Sequence, residues 1–234
     1  MFVTISHQKG GVGKSTISWN LAIELSKHFP VNVIDLDIQK TFTQSYKVRS
    51  KLLSDSKAKD VRKSFKNLSL FSNINNEEEL VSFVEKTDKN KIHIIDTGGY
   101  DQSLNRVAMA MSSILVTPVS SKFYELLGLK KYEEILEVLS DIMGRKIIAS
   151  VVFNKINPLT RQLDDIYDFV ANSPYFAKFD SVLRQRVDFE NSPGKGMTVS
   201  EYNKDGKASD EIIGFINEVL ELVYENQNDV AVGQ

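Results

Sequence analysis

The segment from residue 6 to residue 16, SHQKGGVGKST, constrains the fold of this chain more than any other. It holds three glycines and two lysines, and it lies between a short apolar run at residues 2–5 and a stretch with helical periodicity at residues 15–28. Glycines let the backbone N–H groups of such a loop turn inward around phosphate oxygens, and the start of the helix adds its dipole. A strand, a glycine-rich loop and a helix in this order predict an α/β fold with a phosphate-binding site.

The loop departs from the standard pattern G-x-x-x-x-G-K-[ST] at two positions. The first glycine of that pattern would fall at Gln8, and Lys9 is a lysine that the pattern does not require. Lys14 would reach the β- and γ-phosphates, and the Ser15 hydroxyl would bind Mg²⁺. A glycine-rich turn without a ligand is the alternative. The three glycines, the G-K-S-T run and the flanking elements together disfavour it.

The rest of the chain alternates short apolar runs with helix-patterned stretches. Strands are predicted at residues 2–5, 31–35, 92–96, 113–118 and 147–153, and helices at residues 15–28, 76–88, 101–112, 122–140, 160–171 and 209–226. The last two strands are almost continuously apolar, which is typical of strands buried on both faces of a parallel sheet. This alternation predicts a doubly wound, mostly parallel sheet with helices on both faces. No linker or repeat interrupts it, so residues 1–234 are predicted to form a single domain.

Composition excludes several classes of function. The chain has no cysteine, so disulfides, thiolate metal sites, iron–sulfur clusters and cysteine nucleophiles are excluded. No apolar run reaches membrane-spanning length, and the N-terminal residues do not resemble a secretory signal. The formal net charge is −2, so any binding to nucleic acid must come from a local basic patch.

From Lys9 to Thr16 the loop resembles the deviant Walker A motif of the ParA/MinD family of ATPases, K-G-G-x-G-K-[ST]-[ST]. The resemblance implies a P-loop fold, an Mg²⁺-dependent ATPase activity, and ATP and Mg²⁺ as ligands. It also explains the extra lysine, because in that family Lys9 of one subunit would cross to the phosphates bound by the other, in a homodimer formed with ATP. The residues that the resemblance assigns to ATP binding in this loop are Lys9, Gly10, Gly11, Val12, Gly13, Lys14, Ser15 and Thr16.

Three polar positions outside the loop also match family segments. Asp37 lies in D-L-D-I-Q, which resembles the family's D-x-D-P-Q. The resemblance implies that Asp37 lies near the metal and near the γ-phosphate, where it would orient the attacking water. Asp96 ends a strand that resembles Walker B and would hold Mg²⁺ through water. Lys9, Lys14, Asp37 and Asp96 are thus the predicted catalytic residues, and Ser15, Asp37 and Asp96 the predicted metal site. Asn154 resembles the adenine-contacting position, although Asn is also common at strand ends. Asp35 is interpreted as a hydrogen-bonding residue at the strand end.

Two basic segments could contact DNA. Residues 47–66 contain eight basic and two acidic residues, a pattern that a solvated helix face also produces. A second group near the C-terminus resembles a ParA stretch with paired arginines and a loop bearing proline and glycine, and the resemblance favours it for DNA: Arg184, Arg186, Lys195, Lys204 and Lys207. Residues 209–234 carry six acids and no Lys or Arg, so the basic membrane helix of MinD-like members is not expected, and the apolar stripe there should pack on the sheet.

The resemblance therefore implies a ParA-type ATPase that partitions a plasmid or a chromosome region. ATP would form the homodimer, the dimer would bind DNA without sequence preference, and a ParB-like partner would stimulate hydrolysis. The expected location is cytoplasmic and nucleoid-associated, with no membrane. Because its first strand begins at residue 2, the chain resembles the short, ParF-like members, whose operon a separate protein usually represses. The alternatives are a same-family carrier of a protein cargo and an ATP-dependent ligase or carboxylase of the dethiobiotin synthetase kind. Nitrogenase-type reductases are excluded by the absence of cysteine.

Overall fold

A computed structural model describes residues 1–54, 65–121, 123–159 and 164–232. In these ranges seven strands form one parallel sheet in the order β3-β2-β4-β1-β5-β6-β7. The strands are β1 (Phe2–Ile5), β2 (Val31–Asp35), β3 (Leu68–Phe71), β4 (Ile92–Asp96), β5 (Ile114–Val119), β6 (Ala149–Ile156) and β7 (Phe176–Arg184). The predicted doubly wound sheet is confirmed, and every strand pair in it is parallel.

The helices in the same ranges are α1 (Lys14–Leu25), α2 (Thr41–Ser54), α3 (Glu77–Lys86), α4 (Ser103–Ala110), α5 (Phe123–Met143), α6 (Asp164–Asn172), α7 (Val187–Gly194), α8 (Val199–Tyr202) and α9 (Lys207–Val232). All six predicted helices are present, and the ends that the structure describes are shifted; the predicted starts at residues 122 and 160 lie outside the described residues. The sequence interpretation missed α2, α7 and α8, and it also missed the two edge strands β3 and β7. Within the described residues, no helix is long and apolar enough to cross a membrane.

The core lies on both faces of the sheet. One buried cluster joins β1, β2 and β4 to α1 and α9, and a second joins β5 and β6 to α5 and α6. The stripe predicted on the last helix is confirmed, because Ile212, Ile216, Val219 and Val223 are buried in the first cluster. The acids of α9 also have a structural use: the Glu218 carboxylate accepts hydrogen bonds from the Asp180 and Ser181 backbone N–H groups at 2.7 and 2.8 Å.

The topology places the glycine-rich loop at the centre of the carboxyl edge of the sheet. Strand β1 lies between β4 and β5, and the chain crosses β1 when it passes from one to the other. Ligands of open α/β sheets bind at such a switch point. The register also brings the carboxyl ends of β1, β2 and β4 together, with Asp96 paired to Ile5 on one side and to Asp35 on the other.

Candidate functional site

The loop between β1 and α1 forms a cradle at this edge. Gly13 is the N-cap of α1 and has a φ of 100°, a left-handed conformation that a residue with a side chain rarely adopts. A Cβ there would also lie 2.2 Å from the Asn154 amide nitrogen. The open cavity in front of the loop is about 400 Å³ and is lined by Gly10, Gly11, Gly13, Lys14, Ser15, Thr16, Asp37, Gln39, Thr41, Gly99, Tyr100 and Lys155.

Lys14 is held inside this cradle. Its side chain is only 5% exposed, and its ammonium donates a hydrogen bond to the Lys9 carbonyl at 2.9 Å. Burial lowers the pKa of Lys14, and the negative charges of Asp96 and Asp37 oppose that shift. Among the described residues this carbonyl is the one hydrogen-bond partner shown for the ammonium, which phosphate oxygens could replace.

Asp96 is fully buried behind the loop. Its Oδ1 accepts a hydrogen bond from the Ser18 hydroxyl at 2.9 Å, whereas its Oδ2 has no hydrogen-bond partner among the residues that the structure describes. Burial and the negative charge of Asp35 raise the pKa of Asp96 to about 7, and hydrogen bonds from Ser15 and Ser18 oppose the shift. A buried carboxylate oxygen without a partner suits a water molecule bound to Mg²⁺.

The donor set fits Mg²⁺ better than it fits a metal bound entirely by protein. The described residues contain no cluster of three His, Cys, Asp or Glu side chains that could enclose an ion. Mg²⁺ is usually held by one or two carboxylates together with phosphates and water. Ser15, Asp37 and Asp96 could supply the protein ligands, and the phosphates of a nucleotide could complete the coordination shell of Mg²⁺.

Removal of the Asp96 charge is expected to weaken Mg²⁺ binding in the presence of nucleotide. In the parent, Mg²⁺ affinity should rise from about pH 6 to about pH 8, because the metal favours the carboxylate and a pKa near 7 is passed in this window. Asp96→Asn has nearly the same shape but cannot ionise, so its affinity should be weaker and should change less with pH than that of the parent; the nucleotide phosphate also titrates in both proteins. A calorimetric Mg²⁺ titration at both pH values measures this, and a parent affinity that is independent of pH would contradict it.

Asp35 and Asp37 have different surroundings. The Asp35 carboxylate is buried and accepts hydrogen bonds from the backbone N–H groups of Asp37 at 3.1 Å and Thr43 at 3.0 Å. It therefore fixes the turn into α2, as the sequence interpretation expected. Asp37 lies beside the cavity, partly exposed, and its Oδ1 accepts a hydrogen bond from the Gln39 N–H at 3.0 Å.

Asn154 lies beneath the loop at the end of β6. Its amide nitrogen donates a hydrogen bond to the Val12 carbonyl at 2.7 Å, and the residue is buried. It also lines a second cavity, of about 370 Å³, which shares Gly13, Thr16, Thr41 and Lys155 with the first. The Asn154 carbonyl oxygen remains for a ligand in that cavity, where an adenine ring could lie beside α2 and α7.

The predicted DNA-binding residues divide between this second cavity and the surface. Arg184 and Arg186 line the cavity, and Arg186 forms an ion pair with Glu211 at 2.5 Å. Glu211 also accepts a hydrogen bond from the Arg184 backbone N–H at 3.0 Å. Lys195, Lys204 and Lys207 are exposed.

Fewer basic side chains of residues 47–66 are available for DNA binding than the sequence suggests. Arg49 is fully buried and forms a bidentate ion pair with Glu201 at 2.7 and 2.8 Å, which ties α2 to α8. Lys47, Lys51 and Lys66 are exposed, and residues 55–64 lie outside the part of the chain that the structure describes.

Sequence reasoning missed the role of Gly99. A Cβ at Gly99 would lie 2.8 Å from both the Cα and the N atom of Gly10, so the loop after β4 touches the phosphate loop backbone directly. A Cβ at the neighbouring Gly98 would meet only ordinary contacts at 3.9 Å or more. The G-G pair after Asp96 was the available signal, but the contact joins residues that are far apart in the sequence.

Gly99→Ala is therefore expected to weaken nucleotide binding, because backbone atoms of the phosphate loop must move to accommodate the methyl group. Gly98→Ala is the matched control and should bind nucleotide as the parent does. The rise in melting temperature with Mg-ADP measures both variants. Equal rises in Gly99→Ala and the parent would show that the loop tolerates the displacement.

With this geometry established, comparison with known proteins identifies the family. A model of the CobQ/CobB/MinD/ParA nucleotide-binding domain matches residues 3–199. The chain belongs to this family. No curated protein matches it in sequence.

Solved structures of ParA/MinD-type proteins share the fold. A Borrelia burgdorferi B31 protein assigned to plasmid partition and bound to AMPPNP has a TM-score of 0.69 at 19% identity, over 96% of this chain and 98% of that one. McdA from Cyanothece has a TM-score of 0.69 at 17% identity, over 94% and 98%. The septum site-determining protein MinD from Pyrococcus horikoshii OT3, complexed with Mg-ADP, has a TM-score of 0.66 at 15% identity, over 95% and 96%. Their coverage shows that the fold extends along nearly the whole chain.

Proposed function

We propose that this protein is a ParA-type ATPase that binds Mg-ATP at the loop of residues 9–16, dimerises with ATP, binds DNA without sequence preference and partitions a plasmid or a chromosome region. The observation that carries the proposal is the cradle itself: Lys14 and Asp37 line the cavity in front of the loop, Asp96 is buried behind it, and the loop carries a second lysine at position 9. The fold shared with a plasmid partition protein supports it.

In the proposed reaction the residues of one subunit have separate tasks. Lys14 would neutralise the β- and γ-phosphates, and the backbone N–H groups of the loop would orient them. Asp37 would position the attacking water in line with the γ-phosphate. Mg²⁺ would neutralise phosphate charge, held by Ser15 and through water by Asp96. Asn154 would orient the base.

Exposed apolar side chains around the loop support the proposed homodimer. Ile38 and Tyr100, in the segments after β2 and β4, are 72% and 74% exposed, and Tyr100 lines the phosphate cavity. Leu127, next to the Gly128 that faces His7 and Lys9, is also exposed. Large exposed apolar side chains around a polar site are typical of a protein–protein interface. A second subunit placed there would bring its Lys9 to the bound phosphates.

For DNA we propose the exposed lysines Lys195 and Lys207, with Lys204 and the Arg184 side chain beside them. Arg186 is less suited to DNA because Glu211 already neutralises it. Lys207 begins α9, where the helix dipole disfavours a cation, so its charge does not serve the helix. Dimerisation would double this surface, and a ParB-like partner would then act on a DNA-bound dimer.

A DNA titration tests the function. The parent is expected to bind random duplex only with ATP and to lose affinity steeply with salt, by a log–log slope of about 0.9 for each phosphate contact. Lys195→Glu with Lys207→Glu should abolish this binding while ATP-driven dimerisation survives. Lys86→Glu with Lys89→Glu changes the net charge equally, at exposed positions in α3 and the turn before β4, and should have little effect.

Fluorescence anisotropy at several salt concentrations measures all three proteins. Absence of ATP-dependent DNA binding in the parent at low salt would overturn the partition proposal in favour of a protein cargo or a metabolic substrate. Parent-like DNA binding by the Lys195 and Lys207 double variant would instead indicate that residues 47–66 contact the DNA.

A further inference from the structure

The backbone of the loop lysine at position 9 is held by Lys14 and by His7, a residue that the proposed reaction does not use. His7 is buried at the end of β1, and its Nδ1 accepts a hydrogen bond from the Lys9 backbone N–H at 3.0 Å. The carbonyl of the same residue, Lys9, accepts the hydrogen bond from the Lys14 ammonium. The Lys9 peptide groups are thus fixed by an imidazole on one side and by the phosphate-binding lysine on the other.

Helix α5 holds the imidazole in turn. The buried ring of Tyr132 stacks on His7 with ring centroids 5.8 Å apart. One helical turn earlier, Gly128 faces the same ring: a Cβ there would lie 3.7 Å from His7 Cε1. Gly128 and Tyr132 are four residues apart, so they lie on the same face of α5. Together they form the surface of α5 against which the His7 ring packs.

The Lys9 side chain runs over the same glycine. A Cβ at Gly128 would lie 3.9 Å from Lys9 Cδ, so the lysine stem lies along α5 in the space that a glycine leaves. A methyl group fits at these distances, but a longer side chain would meet both the stem and the ring. The preceding residue of α5, Leu127, is exposed, and it belongs to the apolar set that we assign to the dimer interface.

His7 is uncharged in this buried environment. Burial and the positive charges of Lys14 and Lys9 lower the pKa of His7 to about 3. Since Nδ1 accepts the Lys9 N–H, the ring proton is on Nε2. A neutral acceptor at this point fixes the loop without adding a third positive charge beside two lysines.

We propose that His7 and Gly128 are positioning residues for Lys9: His7 sets the orientation of its peptide group, and Gly128 leaves the channel along α5 through which its side chain reaches the subunit interface. The consequence for ATP turnover rests on the proposed role of Lys9 across the dimer. The placement of the Lys9 side chain in the free subunit does not depend on that role.

Amine labelling of Lys9 in the nucleotide-free subunit tests the placement. The labelling rate is measured by mass spectrometry after an acetylating reagent, relative to the exposed Lys130 of the same helix. Gly128→Ala should label as the parent does. Gly128→Leu should label several-fold faster, because its side chain displaces the stem from α5. Equal Lys9 labelling rates in Gly128→Leu and the parent would contradict the proposed path of the Lys9 side chain along α5.

Kinetics test the consequence. Gly128→Leu and His7→Leu should lose about 100-fold in ATP turnover, the effect of an ångström-scale misplacement of a catalytic group, while the melting-temperature rise with Mg-ADP is retained. His7→Asn keeps an acceptor near the position of Nδ1 and should restore turnover, which a purely structural role for the ring would not explain. Parent-like turnover in both leucine variants would overturn the proposal. If the parent itself fails to dimerise with ATP, the dimer proposal fails and the labelling rates still decide the placement.

Discussion

Lys14→Ala is expected to weaken ATP binding by at least about two orders of magnitude. Lys14 is buried at the cavity in front of the loop, and we propose that its ammonium exchanges the Lys9 carbonyl for the β- and γ-phosphates. A hydrogen bond to a charged group contributes about 1.5–3 kcal/mol, so the loss of two such contacts weakens binding about 100-fold or more. The melting temperature of the variant should therefore rise far less with Mg-ATP than that of the parent, which gains about 2.7 kcal/mol of stability at 100 times its Kd.

Lys155 provides the matched control. It lines the same cavity, but its ammonium donates to the Gly11 carbonyl at 2.7 Å from the exposed side, and its φ is 55°. Lys155→Asn removes an equal charge and tolerates the left-handed backbone. It should keep most of the thermal shift. A Lys14→Ala variant that is stabilised as much as the parent would show that the phosphates are bound elsewhere.

The centre of the fold could be predicted from the sequence, and its edges could not. Strands β1, β2, β4, β5 and β6 are buried on both faces and read as apolar runs. The edge strand β3 has four residues, of which only Leu68 is buried. Strand β7 alternates irregularly, because its register with β6 shifts around Phe153. These strands are specified by their neighbours more than by their own pattern.

The candidate site shows the same division. Gly13 and Lys14 were predicted from the spacing of the loop, and Asp96 from the resemblance of its strand end to a family segment. Contacts between distant segments left no local signal: His7 with Gly128, Gly99 with Gly10, and Arg186 with Glu211. Charge counting in particular could not reveal that Arg49 and Arg186 already have carboxylate partners.

Lys9→Ala is expected to separate nucleotide binding from dimerisation. The cradle proposed to bind phosphate within one subunit consists of Lys14 and backbone N–H groups, and the alanine variant retains both. The Lys9 side chain is partly exposed and lies along α5, close to the exposed Leu127. Its loss should leave the thermal shift with Mg-ADP unchanged but prevent the ATP dimer, because two sets of phosphate charges would then face each other without the crossing lysines.

Comparison with Asp37→Ala distinguishes an interface role from a chemical one. Asp37 is proposed to orient water, so its alanine variant should bind ATP, form the dimer and fail to turn over, which leaves a long-lived dimer. Lys9→Ala should fail one step earlier and sediment as a monomer in ATP. Equal dimerisation of Lys9→Ala and the parent would refute the crossing role. A monomeric Asp37→Ala would instead make Asp37 part of the structure of the turn, since its Oδ1 already accepts the Gln39 N–H. Sedimentation of the three proteins in ATP and in ADP therefore assigns each residue to binding, assembly or hydrolysis.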